Sequence, residues 1–267
     1  MKKNKFVLVS GANGGIGKAI VSSLIDDGYS IIALDLSDSN IKDYQCHFIK
    51  CDLTSDKDLK DAFLKVSALT KELFAIVNAA GIFMMQSLIE GSEEDFKKII
   101  SINFLGIYSL NKVMFPLLNK GSKIINLTSE VVRYSPQPLQ GYYNVSKIAL
   151  DSYNDALRRE ANYLGIKVIK IQSGSMKTNM LGKASEEYEK TVNDSKYFKE
   201  PMTKLKKMMD KELKKQHDPS LIANLVTRIL NKNRTKIAYR VKNSFALSFM
   251  GHLPESTQDK IYKKVIK

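Results

Sequence analysis

A glycine-rich loop between an apolar run and an amphipathic stretch constrains the fold of this chain more than any other feature of its sequence. The apolar run Phe6–Ser10 contains β-branched residues and fits a strand buried on both faces of a parallel sheet. Residues 11–17 form the glycine loop, and apolar residues then recur at helical spacing through residues 16–24. Strand, glycine loop and helix in this order predict the first unit of a doubly wound α/β fold.

The glycines of this loop suit it to bind a phosphate group. Gly11, Gly15 and Gly17 permit a tight turn and a close approach of the backbone. The first N–H groups of the following helix have no partners within the helix, so a pyrophosphate can bind at its N-terminus. The loop therefore predicts a nucleotide site, although a glycine loop alone is a weak signal.

An acidic residue follows the second predicted strand, residues 30–34. Asp35 stands 18 residues after Gly17, near the spacing at which a carboxylate meets the hydroxyls of an adenosine ribose. No basic residue in the glycine loop or at positions 36 and 37 would bind a 2′-phosphate. The pattern favours NAD over its phosphorylated form, with an ordinary turn residue as the other interpretation of Asp35.

The rest of the chain continues the alternation of strands and helices. Further strands are predicted at residues 47–53, 73–77, 123–128, 166–171 and 236–241, with helical stretches between most of them. Such units form a parallel sheet covered on both faces. We expect residues 1–267 to form one α/β domain, a single-domain Rossmann fold with a doubly wound seven-stranded parallel sheet, helices on both faces and a helical substrate lid.

A tyrosine and a lysine four residues apart, Tyr143 and Lys147, are predicted to project from one face of a helix. A nearby ammonium group favours the phenolate and lowers a phenol pKa by roughly 1 to 3 units, so this tyrosine could exchange a proton near neutral pH. Tyr142 lies about 100° further round the helix, so helical phase selects Tyr143. Taken alone, the spacing also fits a solvated helix face.

Two further polar residues stand where chemistry is expected. Asn103 interrupts an apolar helical stripe, and a buried amide needs partners, whether its role is structural or functional. Ser129 follows the fifth predicted strand, at the edge where open α/β sheets bind ligands, although serine is also a common turn residue.

These motifs, in this order, resemble the short-chain dehydrogenase/reductase family. The chain has the family's G-x-x-x-G-x-G loop, an acid after the second strand, D-L after the third, N-A-A-G after the fourth and Y-x-x-x-K. The segments S-I-N-F-L-G and I-I-N-L-T-S also match, and S-G-S-M-K-T at residues 173–178 is similar to the family's P-G-x-x-x-T. The match implies an NAD-dependent dehydrogenase without a metal.

The resemblance assigns a role to each candidate residue. Ser129 and Tyr143 would bind the reacting oxygen, Tyr143 would exchange the proton, Lys147 would hold the nicotinamide ribose, and Asn103 would anchor the water of a proton relay. The implied NAD-binding residues are Gly11, Asn13, Gly14, Gly15, Ile16, Gly17, Asp35, Asp52, Leu53, Asn78, Ala79, Gly81, Tyr143, Lys147, Gly174 and Thr178.

Three departures from the family pattern concern the loops around the site. The interval from Ser129 to Tyr143 is one residue longer than is usual in the family, and Glu130 with Arg133 replaces a small, glycine-bearing loop. Ser173 stands in place of the usual proline.

Two segments outside these motifs bear on the substrate. Residues 179–216 form a long connection that we interpret as a lid. Its large apolar residues either line a pocket or pack the lid onto the body; they are Met180, Tyr188, Tyr197, Phe198, Met202, Met208 and Met209. The tail, residues 243–267, resembles the tails of family members that act on steroid, retinol-like or other lipid alcohols.

On this resemblance we expect a small-molecule lipophilic substrate whose secondary alcohol is interconverted with a ketone. Reduction of a 3-oxoacyl thioester is the alternative within the family. A non-catalytic NAD-sensing protein is the alternative of another class, although such a protein would need no proton relay.

The net charge of +14 is concentrated in the last third of the chain, where residues 181–267 hold 20 Lys/Arg and 10 Asp/Glu. Such an excess attracts anionic partners in some proteins, but a solvated helix face is the commoner explanation. No nucleic-acid motif is present, so we expect no nucleic-acid partner. The basic and apolar tail could contact a membrane surface, with docking onto the protein body as the favoured interpretation.

The remaining composition predicts a cytoplasmic protein. No apolar stretch approaches the roughly 18 to 20 residues of a membrane-spanning helix. Cys46 and Cys51 lack metal-site spacing and give no disulfide framework. Family resemblance suggests a homodimer or homotetramer formed through helices around residues 92–118 and 141–164.

Overall fold

The computed structural model describes residues 5–178, 188–213 and 216–266. At its centre is a seven-stranded sheet in the order β3-β2-β1-β4-β5-β6-β7, with every pairing parallel. The strands are β1 (Phe6–Ser10), β2 (Ser30–Asp35), β3 (His47–Lys50), β4 (Leu73–Asn78), β5 (Leu118–Ser129), β6 (Lys167–Ser173) and β7 (Ala238–Val241). The predicted doubly wound parallel sheet is confirmed. Strand order reverses between β1 and β4, and open α/β sheets bind ligands at such a point.

Helices connect the strands. They are α1 (Gly15–Asp26), α2 (Asp56–Leu69), α3 (Glu93–Ile100), α4 (Gly106–Met114), α5 (Gly141–Asn162), α6 (including residues 188–194), α7 (Lys199–Leu213), α8 (Ser220–Leu230), α9 (Phe245–Met250) and α10 (Glu255–Ile266). Short 3₁₀ segments occur at Phe115–Leu117 and Glu130–Arg133, and a π-helical turn, Ser101–Leu105, joins α3 to α4.

Two apolar clusters cover the two faces of the sheet, as the sequence predicts. On one face α1 packs against α8, and Leu24 and Val226 are fully buried there. On the other face α2 and α4 contribute residues that include Val66 and Leu110. Both faces are therefore shielded from solvent, and the strand ends are the exposed parts of the sheet on which a site can form.

Three strands differ by more than one residue in length from their predicted ranges. β3 stops at Lys50, because Asp52 belongs to the turn that leads into α2, where its carboxylate accepts a hydrogen bond from Thr54 N at 2.8 Å. β5 begins at Leu118, five residues earlier than predicted, across a register irregularity with β4. β7 begins at Ala238, two residues later than predicted.

The lid segment predicted at residues 179–216 is described only in part. Residues 179–187, which include Met180, and residues 214–215 lie outside the described residues, as do the side chains of Met208 and Met209. Within the described part, α6 and α7 confirm the predicted helices. A third apolar cluster joins the two helices to the segment after β4; its buried members are Met85, Tyr188, Val192 and Met202.

The tail begins with α9 and ends in α10, which packs on α7. The helix predicted to open at Pro254 is therefore present as α10. Among the described residues, no helix combines the length and the apolar composition that a membrane span requires.

Candidate active site

The glycine loop lies against the end of β4 and leaves the start of α1 open. Gly11 has φ +68°, and a Cβ there would lie 2.5 Å from Ala80 N. A Cβ on Gly17 would lie 1.9 Å from Gly11 O, so neither position accepts a side chain. Gly14 precedes α1 without a side-chain cap, and Gly14 and Gly15 are both exposed. Free backbone N–H groups on an exposed, glycine-lined helix start fit the pyrophosphate of a nicotinamide dinucleotide.

Asp35 is held against the glycine loop at the end of β2. Its Oδ2 accepts a hydrogen bond from Asn13 N at 2.8 Å, and its Oδ1 accepts one from Leu36 N at 2.7 Å. Asn13 also binds the loop after β2, accepting from Asn40 N at 2.7 Å and donating to Ser39 Oγ at 3.2 Å. Sequence reasoning missed Ser39 and Asn40, because no local pattern marks exposed residues that bind a loop 26 or 27 positions away.

Asp52 and Leu53 lie in the turn after β3. Besides Thr54 N, the Asp52 carboxylate accepts a hydrogen bond from Thr54 Oγ1 at 2.7 Å. Leu53 is nearly buried, and a Cβ on Gly106, the first residue of α4, would lie 2.9 Å from Leu53 Cβ. The structure thus places these two predicted cofactor residues after the end of β3, with Leu53 against the start of α4, the helix that follows the π-turn.

A chain of buried polar side chains runs beneath the site. Ser10 Oγ donates to Asn78 Oδ1 at 3.1 Å, and Asn78 Nδ2 donates to Asn111 Oδ1 at 2.9 Å and to Asn126 Oδ1 at 2.8 Å. Asn126 Nδ2 continues the chain to Asn154 Oδ1 at 2.9 Å. These bonds tie β1, β4 and β5 to α4 and α5. Of these residues only Asn78 was among the predicted site residues; the others are marked in the sequence only as polar positions in apolar elements.

Asn103 lies fully buried in the π-turn between α3 and α4. Its Oδ1 accepts from Ile82 N at 2.7 Å, and its Nδ2 donates to Ile82 O at 2.9 Å and to Ser146 Oγ at 3.0 Å. Inserted π-turns are frequent at functional sites, and this one points the amide at both the segment after β4 and helix α5. Ser146, which links Asn103 to α5, was missed by sequence reasoning.

Tyr143 and Lys147 share a face of α5 near the end of β5. Lys147 Nζ lies 5.9 Å from the centroid of the Tyr143 ring and donates to Leu127 O at 3.3 Å. Gly81 is close to the same amine, because a Cβ there would lie 3.3 Å from Lys147 Nζ. Tyr142 points elsewhere, since its hydroxyl donates to Ser92 O at 2.8 Å. The geometry agrees with the helical phase that favours Tyr143.

The electrostatics of this pair differ from the sequence prediction. Burial raises the pKa of Tyr143; a hydrogen bond with Ser129 lowers it, and the charge of Glu130 raises it further. Burial also lowers the pKa of Lys147 to about 8. The direction of the Tyr143 pKa is thus opposite to the one that the neighbouring lysine alone would produce, because burial of the phenol is the largest cause.

The remaining predicted residues complete the same edge of the sheet. A Cβ on Gly15 would lie 2.8 Å from Thr178 Cγ2, so Thr178 borders the first turn of α1. Gly174 follows β6 and donates its N–H to Val241 O at 2.9 Å. Ala79 N donates to Ser10 O at 3.0 Å, which joins the end of β4 to that of β1.

An apolar wall faces Tyr143. The Phe83 ring meets the Tyr143 ring edge to face, with centroids 4.8 Å apart. Phe83 and Met85 belong to the third apolar cluster, which brings Tyr188 and Met202 of the lid helices to this side of the site. A cavity of about 240 Å³ lies here, and its lining combines Phe83, Met84, Met85 and Tyr188 with the polar side chains of Gln86, Asp95, Lys98, Lys190 and Thr191.

Among the described residues, no group of three or more His, Cys, Asp or Glu is arranged to hold a metal ion. Cys46 and Cys51 are free thiols. The cavity of about 540 Å³ between α8 and β7 has none of the predicted site residues in its lining.

Known proteins share this sequence pattern. The short chain dehydrogenase family matches residues 5–189. A Helicobacter pylori protein named "Probable short-chain type dehydrogenase/reductase VdlC" is 30% identical over 97% of this chain and 97% of its own length. Mouse estradiol 17-beta-dehydrogenase 2 is 25% identical over 97% of this chain and 74% of its own. The NADPH-dependent 1-acyldihydroxyacetone phosphate reductase of Schizosaccharomyces pombe is 30% identical, over 68% of this chain and 64% of its own.

The fold has close counterparts among solved structures. A short-chain dehydrogenase from Streptomyces avermitilis superposes with a TM-score of 0.77 at 22% identity, covering 97% of this chain and 95% of that one. The fold, the family match and the full-length relative agree with the glycine loop, the N-A-A-G segment and the tyrosine-lysine pair. The chain therefore belongs to the short-chain dehydrogenase/reductase family, whose members are oxidoreductases that act on alcohol and ketone groups with nicotinamide cofactors.

Proposed function

We propose that this protein is an NAD(H)-dependent oxidoreductase that interconverts a secondary alcohol and a ketone on a lipophilic substrate. One observation carries the proposal. The Tyr143 phenol, the Ser129 hydroxyl and the Lys147 amine converge at the carboxyl end of β5, with Asn103 fixed behind them. A phenol and a hydroxyl side by side can bind one substrate oxygen. The buried amine and amide beside them would hold this pair in place.

The chain's residues would divide the proton chemistry as follows. In ketone reduction Tyr143 donates its proton to the substrate oxygen and Ser129 donates a hydrogen bond to it; in alcohol oxidation Tyr143 accepts the proton. Burial raises the pKa of Tyr143, so the phenol is protonated near neutral pH and ready to act as the acid. When bound, the nicotinamide cofactor accepts or supplies the hydride.

Lys147 and Asn103 would position this acid. Lys147 is anchored by Leu127 O, and its pKa of about 8 leaves the amine charged below that pH. Asn103 holds Ser146, one residue before Lys147, and so orients this turn of α5. Sequence resemblance adds the nicotinamide ribose as the partner of Lys147 and a relay water as the partner of Asn103.

Asp35 would select NAD. A carboxylate fixed beside the glycine loop offers acceptors to ribose hydroxyls and repels a 2′-phosphate. The fission yeast relative named above is NADPH-dependent, so the preference of this chain needs its own measurement. The glycine loop and the start of α1, with Gly11, Gly14 and Gly15, would hold the pyrophosphate.

Replacing Asp35 tests the choice of cofactor. Asp35→Asn keeps the size of the side chain and removes its charge, so the ratio of kcat/KM with NADH to that with NADPH should fall about tenfold. Asp38→Asn is the matched control, because Asp38 is an exposed acid three residues away in the same loop. A wild-type preference for NADPH, or equal ratios in the two variants, would contradict the role of Asp35.

The lipophilic substrate is supported by the wall around Tyr143. Phe83, which contacts the Tyr143 ring, packs against the buried apolar cluster of Met85, Tyr188 and Met202 that joins the lid helices to the segment after β4. Oxidation of NADH with a panel of steroid, retinoid, fatty and 3-oxoacyl thioester carbonyls tests this. We expect the highest kcat/KM with an apolar ketone. Preference for the thioester would support the acyl reductase alternative, and binding of NADH without turnover of any carbonyl would support an NAD-sensing protein.

Self-association is proposed through the helices next to the site. Leu105 and Tyr108 on the α4 side and Val145 and Ile148 on α5 are large apolar residues that are between 39% and 45% exposed. Exposed apolar faces of this kind are typical of oligomer interfaces. They support a homodimer or homotetramer, and sedimentation equilibrium measures the oligomeric state directly. The cytoplasmic location stays a prediction.

A further inference from the structure

The carboxyl ends of three neighbouring strands meet around one nearly buried side chain, Glu130. Register pairs Ser129 at the end of β5 with Ser173 of β6, and Ser173 with Val241 of β7. Glu130 follows Ser129 directly and is 9% exposed. A carboxylate this close to the reacting serine is therefore placed where it can reach the segments that follow β6 and β7.

The contacts of Glu130 join those segments. Its Oε2 accepts a hydrogen bond from Ser244 N, the residue that caps α9. Its Oε1 lies on the side of Gly174, where a Cβ would be 3.2 Å away and also 2.1 Å from Lys242 O. Gly174 therefore has no room for a side chain, because the Glu130 loop and the end of β7 close on it.

The tail helix rests on the same loop. A Cβ on Gly251, just after α9, would lie 3.2 Å from Tyr134 Cδ1, and Tyr134 follows the 3₁₀ turn that starts at Glu130. A buried carboxylate is costly to desolvate and is retained where its hydrogen bonds compensate. Packing alone would be served as well by an apolar residue at this position.

We propose that Glu130 is a positioning residue that fastens the C-terminal tail, residues 243–266, to the loop of Ser129, so that the tail and the reaction centre form one unit. The inference rests on the proposed roles of Ser129 and Tyr143. It also assigns the tail a place in the catalytic site, because a substrate held by the tail is then held at a fixed distance from the serine hydroxyl.

The charge of Glu130 gives the proposal a readout that a purely structural contact lacks. Glu130 acts on the Tyr143 pKa, Lys147 lies over the Tyr143 ring, Arg133 of the same 3₁₀ turn lies over the Tyr134 ring, and Lys242 follows β7 with its carbonyl against Gly174. A negative charge beside Tyr143 disfavours the phenolate. Removing that charge must therefore make the phenolate form at lower pH.

Glu130→Gln tests the electrostatic part, because glutamine keeps the shape and can still accept from Ser244 N. The acid limb of the kcat/KM profile for alcohol oxidation should move to lower pH by about half a unit to one unit. An unchanged profile would overturn the part of the proposal that places the Glu130 charge at the reaction centre, even if the melting temperature fell, because a contact remote from Tyr143 lowers stability without moving the profile.

Ser244 provides a matched pair for the mechanical part. Its φ of −68° is compatible with proline. Ser244→Pro removes the N–H that donates a hydrogen bond to Glu130, together with the hydroxyl that caps α9. Ser244→Ala deletes only the hydroxyl, which accepts from Leu247 N at 3.3 Å. The proline variant should raise KM for an apolar ketone at least threefold above the alanine variant, and equal KM values would overturn the inference.

Failure of this inference differs from failure of the proposed function. If Tyr143→Phe retains full turnover, the proposed roles of the site are wrong whatever Glu130 does. If Tyr143→Phe is inactive but the Glu130 profile is unchanged or the Ser244 pair gives equal KM values, only the link between tail and reaction centre is wrong.

Discussion

Two buried lysines contact or belong to strand β5, at points four residues apart along it. Lys147 is bound to Leu127 O near the carboxyl end of β5, and Lys123 is part of the strand toward its amino end. Lys123 Nζ donates to Leu230 O at 2.8 Å and lies 4.9 Å from the centroid of the Phe74 ring. Burial lowers the pKa of each amine to about 8.

The difference between them lies in what each amine faces. Lys147 shares a helix face with Tyr143 and borders Gly81, whereas Lys123 is covered by the end of α8 and has Lys5 and Lys167 as charged neighbours. A perturbed pKa is thus no evidence of chemistry by itself, since structural burial perturbs pKa values equally. The position of each lysine along the sheet distinguishes a catalytic from a structural role, because loops that can admit a ligand lie at the carboxyl ends of the strands.

Removing the Tyr143 hydroxyl, which lies on the same helix face as Lys147, gives the largest expected effect on activity. Tyr143→Phe should lower kcat by about 10²- to 10⁴-fold, because it deletes the proton donor while leaving the ring against Phe83. NADH binding, followed by cofactor fluorescence, should stay nearly unchanged.

The adjacent tyrosine is the control for this variant. Tyr142→Phe deletes the hydroxyl that donates to Ser92 O and should leave kcat unchanged. Comparable loss of turnover in the two variants would contradict the assignment of Tyr143.

Replacing each lysine by methionine tests the comparison itself. Lys147→Met should lower kcat/KM about 10²-fold, since it removes the cation beside the acid, while its apolar side chain fits the buried site. Lys123→Met should leave kcat/KM within about twofold of wild type. Equal losses of activity would show that the amino end of β5 also affects the reaction.

The smallest expected effect is on stability. The pKa of Lys123 lies below its usual value, so below pH 8 the folded chain must keep a charged amine buried; above pH 8 that amine loses its proton. The stability gain of Lys123→Met over wild type should therefore be largest below pH 8 and should shrink by about 2 kcal/mol between pH 7 and pH 9.5, because wild type loses this penalty progressively as the pH rises from about 8 toward the unfolded value of about 10.5.

Urea unfolding at the two pH values measures this difference. Lys120→Met is the control, because Lys120 is an exposed lysine on the same strand and should show no pH-dependent gain. If the difference in the free energy of unfolding between Lys123→Met and wild type is the same at both pH values, the lowered pKa of the buried Lys123 amine is contradicted.

The sheet and the position of Tyr143 beside Lys147 were predictable because their signals are local. Apolar runs mark the strands, glycines mark the turn at Gly11, and the four-residue spacing to Lys147 fixes the helix face. The end of β3 was misplaced because Asp52 forms a turn with Thr54, and such side-chain capping competes with strand continuation.

The parts of the site that sequence did not reveal depend on contacts between distant segments. Asn126 and Asn154 look like isolated polar residues until β5 and α5 bring their amides to 2.9 Å. The pKa of Tyr143 was expected to fall because the neighbouring lysine is visible in the sequence, whereas the burial that raises it is not. Glu130 was recognised only as a departure from a family pattern, because its partner Ser244 is 114 residues away.

The asparagine chain beneath the site has a consequence for how this protein folds. Each amide donates to the next carbonyl, so the side chains have one mutual orientation, and reversing any one of them would face like groups against each other. The partners are 33, 48 and 28 residues apart in sequence. Such bonds form only after the intervening loops have closed. The amide network beneath the active site is therefore complete only when β4, β5, α4 and α5 are packed together.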